Sequence, residues 1–195
     1  GATQSITGVG FEPDWTWIKT RSNTAGHSIF DAVRGANNWL ASDSTDAATS
    51  AQTDLLTSFD SDGFSLGANT GSKTVNKSGY TFAAWNWLAG NGTSSNTSGS
   101  ITSTVSVNEK AGFSVVSWTG TGVTGATVGH SLGQKPSALI IKNRTTANRW
   151  LYYTDVIDGT YDFLELNSTA AAVSSGLSLY TSSVFSVFNA ADSNS

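Results

Sequence analysis

Few side chains in this chain are equipped for chemistry. His27, Ser28 and Asp31 could form a hydrolytic triad, but neighbours on a strand point to opposite faces, which sets His27 and Ser28 apart. The Gly-x-Ser-x-Gly strings of the chain, 63–67 and 129–133, centre on Ser65 and Ser131, so no such elbow supports Ser28 as a nucleophile. Asp60-Ser-Asp62-Gly63 has the opening of a calcium loop, yet position twelve is Gly71 where that loop needs glutamate, so a tight turn before Phe64 is expected. No metal site is expected. Glu12, Glu109 and Glu165 are the only glutamates, and paired carboxylates of a glycosidase would have to come from different parts of the chain. The glycines at 90–92 and 120–122 are not followed by Gly-Lys-Ser/Thr, so they form no phosphate loop, and no cofactor is implied.

Recognition is the better lead. Trp39, Trp150, Tyr152 and Tyr153 fall outside the best-patterned strands and could stack on sugar rings, or fill a core or an interface. Arg144 stands two residues after Lys142, as Arg21 does after Lys19. Each pair could clamp an anion such as an acidic glycan, or form a solvated strand end. The sequons at Asn76, Asn91, Asn96, Asn143 and Asn167 matter only in a glycosylating host.

The cation pairs belong to a repeat. Residues 11–21 (FEPDWTWIKTR) and 133–144 (GQKPSALIIKNR) share a proline followed by an alternating apolar run that ends in Lys-x-Arg. Pro13 matches Pro136, Ile18 matches Ile141, Lys19 matches Lys142, and these are the only two prolines. Such self-similarity divides the protein into two related modules. Trp15 and Trp17 lie on one face of the first strand and Ile18 on the other, so that strand is expected to be central or covered on both sides. Further strands are expected at 27–31, 39–42, 58–66, 79–88, 112–118 and 184–188, and a loop or one helical turn at 46–56.

Charged residues are 12% of the chain and glycine numbers 20, while the apolar content leans to Val, Ile, Phe, Trp and Tyr. That composition suits pleated surfaces rather than long helices. The expected fold class is all-β, with two tandem antiparallel β-sandwich modules of jelly-roll or concanavalin-like form. Module one spans 1–89, a Gly/Ser/Asn-rich flexible linker 90–99, and module two 100–195. Module one lacks a counterpart of strand 112–118, and module two lacks a counterpart of strand 79–88. The chain is therefore expected to be a window onto a longer polypeptide, or else its two halves complete one another by each lending a strand across their interface. A net charge of −4 gives no basic footprint for nucleic acid, and no apolar run is long enough to span a bilayer as a helix.

The segments GFSVVSWTGTG (112–122), GHSLGQKP (129–136), IIKNR (140–144) and FLELNSTAA (163–171 region) resemble a β module of marine tailed-bacteriophage virion proteins. The first half is similar to a sister version through FEPD, WIK, FDAVRG, SDGFSLG and the Tyr80-to-Trp87 run. The resemblance implies a non-enzymatic structural or adhesive part of a tail fibre or surface appendage, located on the virion. Its expected partners are copies of itself, other virion proteins and a host surface glycan. The alternative expectation is a carbohydrate-binding, lectin-like domain for host attachment. A polysaccharide-degrading enzyme is the third reading.

Overall fold

Among the residues that the computed structural model describes, 1–174, 180–188 and 190–194, the chain forms fifteen strands, most of them runs of four to six residues that mix small polar and apolar side chains. In order these are β1 (Gln4–Thr7), β2 (Trp15–Thr20), β3 (His27–Asp31), β4 (Leu56–Asp60), β5 (Gly63–Leu66) and β6 (Phe82–Trp87). There follow β7 (Ser94–Asn96), β8 (Ser103–Asn108), β9 (Phe113–Trp118), β10 (Ala126–Gly129) and β11 (Ala138–Lys142). The last are β12 (Trp150–Thr154), β13 (Asp162–Glu165), β14 (Val173–Ser174) and β15 (Val184–Val187). No helix occurs among the described residues, and every ladder is antiparallel. The fold is all-β.

The strands form small sheets of order β1-β5-β4, β3-β2-β6, β7-β8-β9, β11-β12-β13-β14 and β10-β15. Strand β2 is central, as its two apolar faces require. Ile18 faces a core made with Phe30, Leu55, Leu56, Phe64, Leu66 and Val75, which joins sheet β3-β2-β6 to sheet β1-β5-β4. Trp15 and Trp17 face the other way, beside Ile29, Leu40 and Trp150 of β12. A second large core gathers Val128, Ile141, Leu151, Tyr153, Phe185 and Val187, with Val116, Trp118, Leu139 and Phe163 against it. Fully burying one such Phe, Leu or Val contributes roughly 1.5–3 kcal/mol.

The pairings of the first half return in the second. Strand β1 pairs with β5 as β10 pairs with β15, and β2 pairs with β3 as β11 pairs with β12. The bridges Ile29–Leu40 and Trp39–Thr49 correspond to the pairs Tyr152–Leu164 and Phe163–Val173. The pair Phe59–Phe64 corresponds to the bridge Tyr180–Phe185. One pairing of the first half has no counterpart in the second: β6 lies on the far side of β2, whereas among the described residues nothing pairs with the far side of β11.

Three expectations change. In 58–66 the tight turn before Phe64 is present, but the residues ahead of it are also paired, as the β4 arm of the β4–β5 hairpin. Asp62 accepts the amides of Gly8 (3.0 Å) and Gly10 (2.7 Å), while Gly63, at φ +150°, passes so close to β1 that a Cβ would sit 1.9 Å from the Ile6 carbonyl oxygen. Residues 39–42 contribute only the bridging positions Trp39 and Leu40. The 90–99 stretch holds β7, because the buried Asn96 donates to Ser131 Oγ (2.7 Å) and accepts from the Ser98 amide (2.8 Å). Between residues 46 and 56 the chain is loop, apart from the bridge at Thr49.

The halves are tied by polar as well as apolar contacts. Asp14, 1% exposed, accepts from the Ala89 amide (2.7 Å), the Asn91 amide (3.2 Å) and Ser106 Oγ on β8 (2.9 Å). Trp150 donates its indole N–H to the Ala41 carbonyl (2.7 Å), and Phe113 of β9 stacks on Trp87 with centroids 6.2 Å apart.

Candidate functional site

Strands β9 and β11 are each the last strand of their sheet, and no hydrogen bond joins them. They nevertheless present matching faces. Val116 and Trp118 of β9 and Leu139 and Ile141 of β11 all turn to the same core, around Phe185. On the opposite face stand Phe113 and, from β11, Ala138 and Ile140. Between the two edges lies a cleft of about 750 Å³, lined along the whole of both strands. Trp15, Ile29 and Leu40 of the first half close it on one side, and His130 and Phe185 on the other. A void of this size lies within the range of small-molecule sites, but its walls are strand edges that pair with no further strand among the described residues.

The charged groups near the cleft are largely engaged. Asp31 and Arg34 form an ion pair, and both side chains are almost fully buried. Arg34 Nη1 also donates to the Asn38 carbonyl (3.0 Å) and Nη2 to the Ile29 carbonyl (3.4 Å), which engages the rest of the fork. Lys142 Nζ donates to the carbonyls of Asn148 (2.8 Å) and Thr45 (3.1 Å), and burial lowers its pKa despite Asp46 and Asp192 nearby. Arg149 is forked between Asp192 (2.9 Å) and Glu165 (2.8 Å), which holds the Glu165 carboxyl below its ordinary value.

The sequence candidates separate on this frame. Arg144, Trp150 and Tyr152 line the cleft, whereas Trp39 and Tyr153 do not. Arg144 is exposed at the mouth, while desolvation and the neighbouring Arg34 guanidinium lower its pKa, with Asp31 opposing. Tyr152 is half-buried on the cleft-facing side of β12, opposite Ile140. Trp150 is 4% exposed and wedged against the first half. Tyr153 is a core ring, with burial the main cause of its phenol being pushed up to about 12. Trp39 is half-buried, donates to Ser28 Oγ (2.9 Å) and carries Lys73 Nζ 4.5 Å above its ring.

The triad residues have other partners. Trp17 Nε1 donates to His27 Nδ1 (2.7 Å), Ser28 is held by Trp39 on the opposite face, and Asp31 is committed to Arg34. Asp60 accepts from Ser58 and Ser65 (2.8 and 2.7 Å) while Asp62 caps the Gly8–Gly10 turn, so the two carboxylates serve different loops. Among the described residues no three His, Cys, Asp or Glu side chains converge as a metal site.

The facing strand edges were not singled out from sequence as a site. The signal was present: the repeat matches β2 to β11, and the pattern of β6 has no second copy. These features define an all-β protein of small antiparallel sheets with an edge-walled cleft. The whole chain, residues 1–195, matches the family described as Domain of unknown function (DUF7483), and it belongs to that family. No curated protein and no solved structure matches it.

Proposed function

We propose that this chain is a non-enzymatic building module of a bacteriophage virion, of the tail-fibre or surface-appendage kind, which assembles with copies of itself or other virion proteins. The observation that supports this reading is the cleft between β9 and β11, whose long walls are open strand edges. Such edges associate with other chains unless they are covered, and assembly is the use that suits them. The recurrence of the β1/β5 and β2/β3 pairings as β10/β15 and β11/β12 supports two related tandem sandwich units. The phage setting rests on the sequence resemblance. Mass spectrometry of purified particles should find this chain, and its absence from them would remove the reading.

Glycan recognition is the second reading, favoured by Arg144 and Tyr152 both lining the cleft. A cation and a half-buried phenol ring there match the needs of an acidic sugar. Tyr152→Ala should then weaken capture on a glycan array by about tenfold. An array without hits disposes of this alternative.

A further inference from the structure

We propose that the cleft is an acceptor for one β-strand, the closing strand of another module of this kind, which inserts between β9 and β11 and fuses their sheets into one. The inference rests on reading the chain as an assembly module and names what that module receives.

The first half supplies the template. There β2 pairs with β3 on one side and with β6 on the other, in the register Trp15–Trp87, Trp17–Trp85, Ile18–Ala84 and Thr20–Phe82. In the second half β11 pairs with β12 on the corresponding side, and its other edge borders the cleft. Ile141 stands where Ile18 stands, buried at 3% against 2%. A strand beside β11 would therefore place a small residue of the Ala84 type next to Ile141, over the core. Its next residues, of the Trp85 and Trp87 type, would lie on the opposite face.

That opposite face has room for them. Ala138 and Ile140 occupy the positions of Trp15 and Trp17, so β11 presents smaller side chains where β2 presents indoles. Ile140 is 37% exposed, a large apolar residue left partly uncovered at the cleft. On the far wall β9 is already turned to match, with Val116 and Trp118 over the shared core and Phe113 on the other face. One inserted strand thus meets two edges and two apolar faces. A six-residue strand spans about 20 Å, and the cleft runs the length of both strands.

The chemistry of the occupant follows. It is extended, uncharged where buried, alternates small and aromatic residues, and has no proline at positions that donate to the edges. The segment Phe82-Ala-Ala-Trp-Asn-Trp87 has that character and serves as its prototype.

The test uses the intact 195-residue protein and a synthetic peptide of residues 79–89, read by fluorescence binding and by hydrogen exchange. The expected result is saturable binding with slowed exchange at both 113–118 and 138–142, and no change at β2. An Ala84→Pro peptide should bind about tenfold more weakly or worse, since it loses an amide donor and cannot continue the ladder. Binding without protection of both edges, protection only at β2 through exchange with the resident β6, or equal binding of the proline peptide would each overturn the proposal. Assembled particles separate the two readings. If the chain is present there while 138–142 still exchange as in the isolated protein, strand insertion fails and the assembly reading stands. If the chain is absent from particles but the peptide protects both edges, the reverse holds.

Discussion

At the scale of single residues, the two histidines illustrate how burial assigns a role. Trp17 Nε1 can only donate, so His27 Nδ1 must be unprotonated; the Leu132 amide (3.1 Å) fixes His130 Nδ1 in the same way. His130 Nε2 then donates to the Thr181 carbonyl (3.2 Å). Burial, the largest cause in both, lowers their pKa values below the ordinary 6.5. With the folded pKa below the unfolded one, the unfolded chain binds more protons as pH falls through 6.5, and stability falls with it. Urea unfolding should therefore show full stability above about pH 7 and a decline from about pH 6.5 toward 5, before most carboxylates titrate. His27→Gln combined with His130→Gln should flatten that decline. An unchanged slope would mean that other groups carry it. Trp150 makes the same point for hydrogen bonding: Trp150→Phe keeps a ring but leaves the Ala41 carbonyl without its indole donor. Denaturant titration should show a loss of about 1–3 kcal/mol, part of it the smaller ring.

At the scale of elements, the sequence was legible wherever a strand had a clear period. The proline motif, its alternation and its repeat located β2 and β11, and the two apolar faces of 15–18 foretold a strand covered on both sides. Strand β9 was equally visible in GFSVVSW. What was not legible depended on partners distant in sequence. The 94–96 strand has no apolar residue, and it is held by its ladder to β8 and by the contacts of Asn96. Strand β8 mixes serine and threonine with its valines and is fixed by pairing on both sides. The aromatic candidates divided for the same reason: Tyr152 and Tyr153 are neighbours whose faces lead to the cleft and to the core, and only the sheet decides which is which. Asp14 could not be singled out as an anchor, because the groups it accepts from lie on two segments distant in sequence, 89–91 and β8. Asp14→Ala leaves the buried Ala89 amide and Ser106 hydroxyl without that acceptor, and thermal unfolding should report a loss of about 2–4 kcal/mol.

At the scale of the whole molecule, the two halves share one apolar seam. Trp15, Trp87 and Phe113 meet there with ring centroids 4.6–6.2 Å apart, and Trp150 wedges beside Ile29 and Leu40. Calorimetry of the intact chain should accordingly show a single transition. Phe113→Ser should lower its midpoint, with a stability loss of about 1–3 kcal/mol for a half-buried ring. Two resolved transitions in the unaltered protein would show that the halves melt independently. The same seam has an optical consequence. Four indoles, Trp15, Trp17, Trp85 and Trp87, stand on one face of a sheet, with neighbouring rings 4.6–6.5 Å apart and tilted by 56–71°. Chromophores that close and skewed mix their excited states, so the far-ultraviolet circular dichroism should contain an exciton couplet superposed on the sheet signal. Loosening the seam re-orients Trp15 and Trp87 and should collapse that couplet before the ladders melt, making the joint between the halves its own spectroscopic reporter.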